Sequence, residues 1–259
     1  MAEYLLSQRD LPEIERSRLT LLEEKHDPGT IEQLDAIGVG GGWRCVDVGA
    51  GAGSATRLLA QRVGSTGSVL AVDIDTSLLE ELPSDRVEVR RVDLLSDGLP
   101  ADAFDLVHAR LLLMHLPSRL AAIRRLSSAA RPGGWIVAVD PDFTTVAVSP
   151  ANSTWERTWS VFCDTLIAGG WDPRYGARLG DDLRAAGLVE VHADYVAGRD
   201  PGGSMNPRLL SLTFERLRQR MLTLGADDHD INETRALLED PTNTIDAPTT
   251  CFARARRPG

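Results

Sequence analysis

A chain of 259 residues, 42% hydrophobic and 25% charged, has the composition of a soluble globular protein and is long enough to bury a sizeable core as one α/β domain with a modest cap. Its formal net charge of -10 argues against a broad electrostatic grip on nucleic acid or anionic lipid, because phosphate binding needs clustered Lys and Arg. The N-terminus lacks an apolar signal segment, and no run approaches the ~18 apolar residues of a membrane span. Cys45, Cys163 and Cys251 are too widely spaced for a disulfide framework or a zinc site, so a reduced, cytoplasmic protein without a bound metal is expected.

The first 35 residues carry a mostly helical pattern. Arg44 to Val48 is a β-rich run that stops at glycines, and Ser54 to Val63 is an amphipathic helix with Ser54 as its expected N-cap. Val69 to Asp73 is a second strand and Thr76 to Leu82 a short helix ended by Pro83. Val87 to Arg91 and Phe104 to Ala109 are further strands. Ser118 to Ala130 is a helix, stopped by Arg131-Pro132-Gly133-Gly134 before a fifth strand, Trp135 to Asp140.

Beyond Asp140 the pattern changes. Pro141 to Thr154 and residues 198–205 are loop-like, with helices over Ser153 to Ala168, Arg178 to Ala186, Pro207 to Leu224 and Ile231 to Leu238. Val189 to Val196 and Thr249 to Arg256 are strands, and the basic run Arg254 to Arg257 reads as a solvated tail. About seven strands suit one large sheet. One domain over residues 1–259 is expected, with a cofactor-binding core at 36–140 and cap segments at 1–35, 141–175 and 198–248.

The loop Asp47-Val48-Gly49-Ala50-Gly51-Ala52-Gly53 joins a strand to a helix start, where glycines permit close approach of a ligand and the helix end offers N–H groups. Dinucleotide enzymes use a similar turn, but their fingerprint needs a glycine where this chain has Ser54. An acid such as Asp47 suits a cofactor with an ammonium and a sulfonium better than a pyrophosphate. Asp73, about 20 residues beyond the loop, can accept both ribose hydroxyls of a nucleoside. Ile74 would then pack on the adenine face, and Asp93 with Leu94, at the end of the third strand, could read the adenine edge.

These motifs, with Phe104-Asp105-Leu106-Val107 and the run ending at Gly134, resemble the class I S-adenosylmethionine-dependent methyltransferases over about residues 40–140. The resemblance implies an α/β fold, a Rossmann-like three-layer sandwich whose seven-stranded, mostly parallel sheet has an antiparallel last strand, plus a helical cap. It implies S-adenosyl-L-methionine as cofactor, with Asp47, Gly49, Ala50, Gly51, Asp73, Ile74, Asp93, Leu94, Ala109 and Arg110 at its site. Arg110 either pairs with the cofactor carboxylate or makes an ion pair with a neighbouring acid. Tyr4 and Arg18 of the N-terminal arm are further candidate contacts. The segments Tyr4-Leu5-Leu6, Glu13 to Leu19 and Ala109 to Pro117 are similar to actinobacterial methyltransferases of natural-product pathways.

Methyl transfer needs alignment, exclusion of water and, for some acceptors, removal of a proton. His115 and Asp140 lie beyond the fourth and fifth strands, on the rim where open α/β sheets bind ligands. His115 is either a base or part of a packed turn, Asp140 either a base or a loop cap, and His108 a core histidine. Trp155, Trp159, Phe162, Trp171 and Tyr175 either pack a core or meet an aromatic or polycyclic acceptor. The expected partner is a small-molecule substrate, with no nucleic acid or membrane and with a homodimer as a candidate assembly. Competing readings are a non-methylating enzyme of the same fold, a cofactor-binding regulatory module and, disfavoured by Ser54 and Asp47, a nicotinamide oxidoreductase.

Overall fold

The structure, a computed structural model, describes residues 12–79, 82 and 85–259. Its elements in chain order begin with α1 (Pro12–Ala36), β1 (Arg44–Val48), α2 (Ser54–Val63), β2 (Ser68–Asp73), β3 (Val87–Arg91) and β4 (Phe104–Arg110). There follow α3 (Arg119–Ala129), β5 (Ala130–Asp142), β6 (Ala147–Ser149), α4 (Ser153–Ala168), α5 (Leu179–Ala185) and β7 (Val189–Val196). The last are β8 (Arg199–Pro201), α6 (Met205–Thr223), α7 (Asp228–Glu239), β9 (Thr244–Asp246) and β10 (Thr249–Arg256).

Seven strands make one sheet in the order β3-β2-β1-β4-β5-β10-β7. The pairs β1–β2, β1–β4, β2–β3 and β4–β5 are parallel, whereas the last strand, β10, runs antiparallel to β7. Central strands are buried along most of their length, and the edge strands β3 and β7 are largely exposed. Strand order reverses between β1 and β4, which opens a crevice at their C-terminal ends. Helix α2 turns Leu59, Ala60 and Val63 onto Cys45, Val69, Ala71 and Leu106 of the sheet.

The chain divides into two compact units. One comprises Asp27–Pro141, Tyr175–Val196 and Thr250–Gly259 and holds the large sheet. The other comprises, among the described residues, 12–26 with Asp142–Arg174 and Ala197–Thr249, and includes α4, α6, α7 and the three-stranded antiparallel sheet β6-β9-β8. The first division between the units falls inside α1, which runs through Pro28 to Ala36. The core of the second unit is aromatic: Phe162 and Phe214 are fully buried with ring centroids 4.8 Å apart, and Trp155 stacks on Trp159 at 5.0 Å.

Several expectations are corrected. The described part of Thr76 to Leu82 is a pair of turns, closed by Leu79 N–H to the Thr76 carbonyl and Leu82 N–H to that of Leu79. The Arg131–Gly134 punctuation lies inside β5, whose register against β4 shifts there. Residues 147–149, 199–201 and 244–246 are strands rather than loop, paired only through contacts distant in sequence. The basic C-terminal run is not a solvated tail: Arg254 binds Asp194 and Gln33, Arg256 lies over the Trp135 ring, and Arg257 pairs with Asp102. Among the described residues no helix is long and apolar enough to cross a membrane.

Candidate active site

The glycine loop is held open by backbone conformation. Gly49, Gly51 and Gly53 have φ of 74°, 57° and 81°, a left-handed sequence that any residue with a Cβ would strain. Gly53 takes the N-cap position of α2, so Ser54 is the first helical residue instead of the cap. Its hydroxyl is used elsewhere, donating to Asp27 Oδ1 at 2.9 Å and accepting from Arg110.

The loop amides are occupied internally. Gly49 and Ala50 N–H both donate to the Val72 carbonyl, at 2.8 and 3.1 Å, and Gly51 N–H donates to Asp73 Oδ2 at 2.9 Å. These N–H groups are therefore not the open anion cradle a pyrophosphate requires. The Ala50 carbonyl is also used within the turn, accepting from Gly53 N–H at 2.8 Å, whereas a Cβ at Gly51 would meet open space.

Asp73 closes β2 against this loop. Its Oδ2 accepts from Gly51 and its Oδ1 from the Asp75 N–H at 3.0 Å, and the Ile74 N–H is a third backbone donor, so the carboxylate keeps acceptor capacity for a further donor. Burial raises its carboxyl above the ordinary range, against the pull of those N–H groups. Next to it, Ile74 is 45% exposed, an apolar side chain left in solvent at the strand end. Strand β3 ends at Arg91, before Asp93 and Leu94. Asp93 is exposed and caps the following turn through Leu95 N–H at 2.8 Å, while the Leu94 side chain is buried.

The expectation for Asp47 is corrected. Its carboxylate is 1% exposed and points into the core, accepting from Thr56 Oγ1 at 2.6 Å and pairing with His108 Nδ1 at 2.7 Å. Burial alone would raise this carboxyl, but the His108 and Thr56 contacts and the charge of Arg110 outweigh it and hold it low. Asp47 thus braces β1 against α2 and β4 and is not open to an ammonium group at the surface.

On the other flank of the loop, β4 ends in Ala109 and Arg110. Ala109 is in register with Val48, so Arg110 stands beside Gly49. Arg110 makes the ion pair that was the alternative reading, Nη1 to Asp27 Oδ1 at 2.7 Å, with Thr30 Oγ1 at 3.3 Å.

Beyond β4 a 3-10 turn, Leu113–His115, carries His115, which is part-exposed. Asp140, in β5, is brought to this turn: its Oδ1 accepts the Met114 N–H at 3.3 Å. Asp140 is wholly buried, which pushes its carboxyl up to about 8. In this structure the enclosed carboxyl supports the turn and does not stand open on the rim, where an acid or base was expected.

Residues 46–138 match the sequence profile of the family described as a methyltransferase domain. Over this segment the chain is similar to methyltransferase domains. The chain is similar to methyltransferase str2 of Strobilurus tenacellus, 28% identical over 184 residues, covering 70% of this chain and 66% of that one. It is also similar to aklanonic acid methyltransferase DauC of Streptomyces sp. (strain C5), 32% identical over 109 residues, covering 39% and 50% respectively. The chain thus spans less than two thirds of these relatives' length. Among solved structures, phosphoethanolamine N-methyltransferase 2 of Haemonchus contortus, in complex with phosphomonomethylethanolamine and S-adenosylhomocysteine, shares the fold with a TM-score of 0.57 at 16% identity, covering 89% of this chain and 52% of that one.

The candidate site contains residues that sequence reasoning missed. Asp27 is the clearest: the run Asp27-Pro28-Gly29 carries a turn signature, yet it lies within α1 and reaches Arg110 from 83 positions away. Thr56 was read only as a helix residue, and no local signal joins it to Asp47. Tyr4 lies outside the described residues, and Arg18 is buried in a bidentate pair with Glu15 at 2.9 and 2.7 Å.

Proposed function

We propose that the protein transfers a methyl group from S-adenosyl-L-methionine to a diffusible small molecule in the cytoplasm, at a nitrogen, oxygen or carbon atom, in secondary metabolism and without a nucleic-acid partner. The observation that carries this reading is the loop–Asp73 junction: three left-handed glycines with internally bonded amides, next to a carboxylate with spare acceptor capacity and the exposed Ile74. That donor and acceptor set fits a nucleoside whose two hydroxyls meet Asp73 and whose base lies on Ile74, with Asp93 and the Leu94 backbone at its edge. The backbone of Gly49, Gly51 and Ala109 would lie toward the amino-acid end, and Arg110 would take its carboxylate.

When bound, the cofactor supplies an activated carbon for in-line displacement. The chain's own work is to align the acceptor, exclude water and, for an acceptor that carries a proton, remove it. His115 is the group for that step, part-exposed on a turn at the crevice rim and of a type that titrates near neutrality. Of the aromatic residues, Trp155, Phe162, Trp171 and Tyr175 are buried in cores and Trp159 and Phe143 are part-buried.

Calorimetry with S-adenosylhomocysteine tests the cofactor reading. Asp73→Ala should weaken binding by about 10- to 100-fold, the worth of one or two hydrogen bonds to a charged group, without changing the fold by circular dichroism. Unchanged affinity would refute the ribose role. Methyl-labelled cofactor offered with candidate acceptors should label the product, and turnover without label would remove the transferase assignment.

A further inference from the structure

The amino-acid end of the proposed cofactor carries a carboxylate and an ammonium side by side, so a complementary site presents one cation and one anion. With Asp47 turned into the core, the anion must come from elsewhere. It is available at the loop rim, on α1. Arg110 Nη1 and the Ser54 hydroxyl both donate to Asp27 Oδ1, at 2.7 and 2.9 Å, so its acceptor oxygen Oδ2 is not used by either of them, and the side chain is 28% exposed. Arg110, 12% exposed, is held at the same time by Thr30 and Ser54.

The sheet order places this pair at the correct end. Asp73 lies on the β2 flank of the loop, bonded to Gly51, and Arg110 lies on the β4 flank beside Gly49. In the order β2-β1-β4 the two flanks are two strand spacings apart, about 10 Å. That separation matches the reach from a ribose to the far end of a homocysteine chain.

On the reading proposed above, we infer that Asp27 binds the cofactor's ammonium group while the adjacent Arg110 binds its carboxylate, so that α1 forms part of the cofactor site. The pair is net neutral and so is the amino-acid end it would meet, so no isolated charge is left in a part-buried place on either side of the binding equilibrium. Ser54 gains its role here: at a position where a dinucleotide fingerprint would have glycine, its hydroxyl bridges Asp27 and Arg110 and sets their spacing.

The test compares three ligands by calorimetry: S-adenosylhomocysteine, its desamino analogue lacking the ammonium, and 5′-methylthioadenosine lacking the whole amino-acid end. Asp27→Asn should weaken S-adenosylhomocysteine by about 10- to 100-fold, as expected for loss of a charge-assisted hydrogen bond, and leave the other two within about twofold. Asp27→Glu should recover part of the loss, and it serves as the working variant if Asp27→Asn melts below the assay temperature, its deficit again confined to the ammonium-bearing ligand. Equal weakening of all three ligands, or of none, would overturn the assignment. Failure of the wild-type protein to bind any of the three would instead overturn the cofactor reading.

Discussion

Asp140 illustrates how enclosure changes a carboxyl. Wholly buried, it receives N–H bonds from Met114 and Leu113 and the charge of Arg119, but burial dominates and carries it from 3.8 to about 8. Because the folded value lies above the unfolded one, the native state holds this proton more tightly between about pH 4 and pH 8, and stability falls as pH rises through that window. Asp47 works in the opposite direction: held low, it adds stability that is lost only in acid. Asp140→Asn, neutral and of the same shape, should therefore flatten the decline of unfolding free energy between pH 5 and pH 8 in urea titrations. A variant with the same slope as wild type would show that Asp140 is ionised in the fold. Sequence located Asp47, Asp73, Arg110 and Asp140 at strand ends but could not say what each carboxylate faces. That depends on side chains such as Thr56, His108 and Asp27, which the chain brings in from 9, 61 and 83 residues away.

At the level of elements, β1, β3, α4 and β10 were legible to the residue, since each pairs a periodic apolar pattern with a local stop signal. The small sheet β6-β9-β8 was not, because strands of three residues carry no alternation and exist only through their partners. Its connection depends on a close backbone approach: a Cβ on Gly202 would sit 2.1 Å from the Asp240 carbonyl oxygen. Gly202→Ala must displace backbone and should cost about 1–3 kcal/mol in denaturant melts, the usual range for overpacking. A change below about 0.5 kcal/mol, typical of a surface substitution, would mean the junction relaxes freely.

At the scale of the molecule, ligand linkage offers a check that needs no acceptor. A ligand bound only by the native state at about 100 times its Kd stabilises by about 2.7 kcal/mol, which in a chain of this size raises Tm by about 5–11 °C. S-adenosylhomocysteine should produce that shift and NAD should not; the reverse would return the glycine loop to a dinucleotide. The sequence by itself determined the sheet, its glycine turn and the placing of acids at successive strand ends, because strand periodicity and left-handed glycine are local properties of the backbone. Only the tertiary structure decided that Asp47 serves the core, that Asp140 is enclosed, and that Asp27 stands at the rim. A carboxylate's role is set by which donors surround it and how much water remains, and both come from residues remote in the chain.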